Sequence, residues 1–152
     1  MRNLVLSILS LVLVVGGFSS AVQALTLAEK KKLADWNEAI SGSDSYAGWF
    51  ERDCGYKLPV TLDESLVTPF MEENTSAYAY CDEVVSSMQS MCAAEAIYKE
   101  AIAGAVKALN CTYEAGDEPQ FSISEDGTLN FKTAPGQGNL GSKTKEYLEN
   151  NL

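Results

Sequence analysis

Four cysteines behind an export signal constrain this chain more than any other feature. Residues 1–24 have the layout of a cleaved secretory signal peptide. Arg2 gives a positive start, an apolar run follows from Leu4, Gly16-Gly17 interrupts it, and Ala21-Val22-Gln23-Ala24 supplies the small residues that suit cleavage after Ala24. The run from Leu4 to Phe18 covers 15 residues, short of the roughly 20 needed to cross a bilayer, so no membrane span is expected after cleavage. This reading places the protein in the periplasm or outside the cell. There Cys54, Cys81, Cys92 and Cys111 are expected to form two disulfides. Successive cysteines are separated by 26, 10 and 18 residues with no C-x-x-C pair, a spacing that fits neither a redox motif nor a zinc site. All four are read as structural crosslinks, with three pairings open.

The 152 residues include no histidine, which removes Ser-His and Cys-His nucleophile activation and imidazole ligation of metals. No catalytic residue, metal or cofactor is assigned. Eleven basic side chains against 21 acidic ones give a net charge of −10, and −11 once Arg2 leaves with the signal. Nucleic acid and anionic lipid need clustered Lys and Arg, so neither is expected as a partner. The run Lys30-Lys31-Lys32 is read as a solvated helix face. A cationic protein or a small ligand is the partner this charge admits.

Local signals give the order of elements. Thr26-Leu27-Ala28-Glu29 is a capping box that predicts a helix from Leu27 to about Ile40, with Leu33, Trp36 and Ile40 on its apolar face and Gly42 as a stop. Tyr56–Leu62 reads as a strand confined to an edge by Pro59. Thr61-Leu62-Asp63-Glu64 offers a second capping box, after which Pro69 interrupts or kinks the helix. A helical tract runs from about Ser76 to Leu109. An unbroken stripe would carry Glu95 inward, so a turn near Ser90–Ala93 is expected, one that could also bring Cys81 and Cys92 together. Residues 109–115 suggest a strand. Alternation on both sides of Asp126-Gly127 predicts a β-hairpin over 120–133 with a type I′ turn. Residues 136–152 read as a flexible linker and a short, fraying helix.

The expected fold is therefore α+β: three to four helices packed on a small antiparallel sheet with a C-terminal β-hairpin and two disulfides, as one domain over 25–135. Tyr46, Trp49, Phe50 and Tyr56 surround Cys54 and are the candidate partner contacts, since aromatic side chains anchor interfaces. Carboxylate pairs such as Asp82-Glu83 and Glu125-Asp126 are candidates in principle for acid–base work, but sequence neighbours rarely converge on one substrate. The expected function is a small exported binding or inhibitory protein acting by surface complementarity without catalysis. A carrier of a small apolar ligand between helices is the alternative, and a carboxylate-dependent hydrolase stands third.

Overall fold

The computed structural model describes residues 24–42 and 45–152, so the expected signal peptide, apart from Ala24, lies outside the described residues. Helix α1 (Leu27–Ser41) opens on the expected capping box, in which the Thr26 amide donates to Glu29 at 2.8 Å and the Glu29 amide to Thr26 Oγ1 at 3.3 Å. Trp36 and Ile40 carry its apolar face into the core. Helix α2 (Tyr46–Cys54) stops at Gly55, whose φ of +89° is the left-handed conformation glycine adopts without strain. Strand β1 (Val60–Leu62) follows Pro59 and lies at a sheet edge, where Asn37 of α1 covers Leu62 by accepting from its amide at 3.1 Å and donating to its carbonyl at 3.4 Å.

The next helix start differs from the expected one. Thr61 is taken up in β1, and Asp63 instead accepts from the Ser65 amide at 2.9 Å to cap a 3₁₀ turn, Glu64–Leu66, that leads into α3 (Val67–Glu72). Pro69 falls in the first turn of α3, where the amide it lacks has no helical partner to lose. Helix α4 (Ala77–Ala94) buries Cys81, Val84, Val85, Met88, Met91 and Cys92 on one side. The turn expected near Ser90–Ala93 comes later. The chain breaks at Glu95, which is extended (φ −147°, ψ 140°) and exposed, and α5 (Ala96–Ala105) begins after it. Ending the helix there keeps the carboxylate off the buried stripe. It also leaves Cys81 and Cys92 on one continuous helix, unable to pair with each other.

Strands β2 (Ala108–Tyr113), β3 (Gln120–Ile123) and β4 (Thr128–Thr133) complete a four-stranded sheet in the order β1-β2-β4-β3. The sheet is mixed rather than antiparallel: β2 runs parallel to both β1 and β4, and β3–β4 is the antiparallel hairpin. After β2 the chain runs back along the outer edge as β3 and returns in the slot between them, so the sequence neighbours β2 and β3 are not sheet neighbours. The hairpin turn also differs from type I′. Gly127 is left-handed at φ +83°, Asp126 is not, and the Gly127 amide donates to Ser124 O at 2.9 Å, which makes a turn followed by a bulge glycine.

Helices cover one face of the sheet, where Leu109, Cys111, Leu129 and Phe131 are buried, and Asn110, Thr112, Asn130 and Lys132 line the other, half-exposed. Both disulfides start from α4. Cys81 joins β2 through Cys111, and Cys92 joins α2 through Cys54, with Cα separations of 6.3 and 5.2 Å. They close spans of 30 and 38 residues. Loop-closure entropy makes each worth about 4 kcal/mol. The tail read as linker and fraying helix is packed. Gln137 is buried, accepting from Thr133 Oγ1 and donating to Gly116 O, both at 2.9 Å, and α6 (Leu140–Asn151) buries Leu140, Thr144 and Leu148.

Candidate functional site

Helical geometry divides the four aromatic residues around Cys54. Phe50 faces the core and is fully buried. Tyr56 packs edge-on against it with ring centroids 5.2 Å apart and donates its hydroxyl to Val106 O at 2.6 Å. Burial pushes the Tyr56 hydroxyl pKa up to about 12. These two rings fix α2 to the body of the protein. Trp49 points the other way and is 44 % exposed, with Tyr46 meeting it edge-on at 5.0 Å between centroids.

The start of α2 lacks a local cap, and this brings in two residues of α4 that the sequence reading did not single out together. Ser45 occupies the N-cap position, yet its hydroxyl donates to the carbonyls of Ile40 (2.8 Å) and Gly42 (2.6 Å) and serves no amide of the first turn. Asp82, from α4, stands against that turn. Burial raises its pKa, outweighing the Tyr46 backbone amide and the Tyr78 hydroxyl, which both favour the charged form. Tyr78 donates to Asp82 Oδ2 over 3.5 Å, a long bond, while Oδ1 is buried with no hydrogen-bond partner among the described residues. Incomplete satisfaction of a half-buried carboxylate costs stability. Trp49, Tyr46, Tyr78 and Asp82 thus form a chain of contacts on the α2 side of α4. The signal for Tyr78 and Asp82 was their i,i+4 spacing, which puts both on one helix face. Nothing local shows that this face meets α2.

The two carboxylate pairs do not assemble. Asp82 faces α2, whereas Glu83 turns to the other flank of α4 and accepts from the Gly141 amide at 2.9 Å. Asp126 is used by the hairpin turn, accepting from Ser124 Oγ at 2.6 Å and from the Thr128 amide at 3.0 Å. Its neighbour Glu125 is exposed. Among the described residues, no group of three or more His, Cys, Asp or Glu side chains gathers as a metal-ion ligand set.

Asp53, at the far end of α2, shows the opposite electrostatic state. It accepts from Arg52 Nε at 2.7 Å and from Gln89 of α4, and these bonds hold its pKa down at about 2. Two grooves flank these helices. One of about 560 Å³ lies between α1, α2 and β1, lined by Ile40, Ala47, Gly48, Glu51, Lys57 and Val60. The other follows the opposite flank of α4, along α5 and α6. In comparisons with known proteins, the chain matches no family model, no curated protein and no solved structure.

Proposed function

We propose that the protein is an exported binding or inhibitory protein that acts by surface complementarity on a cationic partner, with Trp49 at the centre of the contact. The observation that carries this reading is the exposure of Trp49, 44 %, on a ring that meets Tyr46, whose backbone amide faces the incompletely bonded Asp82. An Arg or Lys of the partner laid over Tyr46 and Trp49 gains a cation–π contact, worth about 0.5–2 kcal/mol depending on desolvation, and meets Asp82 as an anionic neighbour. The chain's 21 acidic against 11 basic side chains attract such a partner from a distance. Phe50 and Tyr56 contribute by holding α2 rigid, which lowers the ordering cost of binding.

The test uses the oxidised protein, immobilised, against envelope and medium fractions of the producing cell. A basic protein retained at low salt, eluted by salt, and lost from the Trp49→Ala variant is the expected result. Equal retention by Trp49→Ala, or recovery of the bait alone, overturns the reading. Because Trp49 is largely outside the core, the variant should keep wild-type circular dichroism and both disulfides.

A further inference from the structure

The groove on the α6 side of α4 is built from two adjoining hollows of about 390 and 400 Å³ that share Met91, Glu95 and Tyr98. In the half nearer α5 the accessible apolar surface is Ile97 and Leu152, lying over the buried core residues Met91, Ile102 and Leu148. Ile97 and Leu152 are 68 % and 44 % exposed, and they are two of the five large apolar side chains left outside the core among the described residues. Glu83, Glu95 and Glu149 line the groove, and its one cation, Lys145, already lies 3.7 Å from Glu149. Negative potential there is also felt by Tyr98. Its pKa is raised chiefly by the hydrogen bond to Glu149, then by burial and by the charges of Glu149 and Glu95.

From this geometry we infer that the groove is a docking site for a cationic amphipathic helix of a partner polypeptide, separate from the Trp49 face. Charge selects the occupant. A second copy of this chain would bring the same excess of carboxylates, and an anionic lipid surface would be repelled. Backbone chemistry selects its conformation. The walls are helices, paired along their interiors and open only at the break between α4 and α5, so no strand edge is offered to an extended peptide and a helical occupant, which pairs its own amides, is the fit. A helix with apolar residues at i, i+3 or i+4, and i+7 places them against the exposed Ile97 and Leu152 and the half-buried Tyr98 between them, and its flanking Lys or Arg side chains reach Glu95 and Glu149.

The test titrates the oxidised protein into fluorescein-labelled helical peptides that share one Leu face and differ in carrying Lys, Gln or Glu beside it, read by anisotropy and by amide shifts. The Lys peptide should bind most tightly, weaken with salt, and shift the amides of Ile97, Tyr98, Leu148 and Leu152. Glu95→Gln with Glu149→Gln should weaken it roughly tenfold. Ile97→Ser should weaken all three peptides, and Trp49→Ala should change none. Equal binding of the three peptides, no binding by any, or shifts centred on Trp49 overturns the inference. Since Trp49→Ala is neutral here and decisive for the proposed function, the two readings fail separately.

Discussion

The two flanks of α4 are held by different means. On the α2 side the Cys54–Cys92 crosslink fixes the interface, with Gln89 donating to Asp53 beside it. On the α6 side there is no covalent bond. The Gly141 amide donates to Glu83 at 2.9 Å, Ser87 Oγ donates to the Gly141 carbonyl at 2.8 Å, and the burial of Leu140 and Leu148 supplies the rest. The difference shows in what each flank tolerates. Where a crosslink carries the contact, a carboxylate oxygen can stay unpaired and a tryptophan can stay outside. Where apolar area must carry it, the apolar surface spills past the interface as Ile97 and Leu152. Each candidate surface therefore lies on a flank secured by a different means.

Removing the crosslink is the strongest way to break this asymmetry. Cys54→Ser with Cys92→Ser should cost about 4 kcal/mol in urea unfolding. Hydrogen exchange should rise in α2 and leave α6 unchanged, with the Cys81–Cys111 bond still joining α4 to the sheet. Equal loosening of both flanks would show that they act as one unit. The complementary change is Leu148→Ala on α6. Leu148 is buried, and its truncation should cost about 3 kcal/mol, within the range of large-to-small core substitutions. Exchange should then rise in α6, and the Lys peptide should lose its site while Trp49 keeps its fluorescence.

How much of this was legible in the sequence follows from the range of each interaction. The Thr26–Glu29 box and the Asp126-Gly127 hairpin depend on residues within a few positions of each other, and the box and the two hairpin strands lie where expected, although the turn between the strands is not type I′. The sheet order is not local. Alternation in Leu109-Asn110-Cys111 shows which residues face the core and says nothing of which strand lies alongside, so β4 taking the place beside β2 could not be read. The disulfide pairing depends on that same topology. The cost of burying Glu95 correctly flags a break, but the chain meets it by ending α4 at that residue, and an earlier turn keeps open a Cys81–Cys92 pairing that the continuous helix excludes. Tyr46, Trp49, Phe50 and Tyr56 were found as a group. Their division into core and surface needed the position of α4, as did the joining of Asp82 to Tyr46.

The smallest effect separates the two aspartates on the α2 flank, and its sign differs between them. Asp53 has a folded pKa of about 2 against an ordinary 3.8, so the folded state favours its charged form. Its contribution is complete above about pH 4 and is lost as pH falls towards about 2. Asp82 is shifted upward by burial, so between the ordinary value and its folded one the native state holds the extra proton, and stability falls as pH rises. Asp53→Asn should therefore lower stability at neutral pH and flatten the acid limb of the urea midpoint against pH. Asp82→Asn should raise stability at neutral pH, by at most about 1 kcal/mol given partial exposure, and remove the decline above about pH 4. Loss of stability in Asp82→Asn would mean that the carboxylate chiefly caps α2. A gain in stability with loss of the cationic partner would instead assign Asp82 to binding.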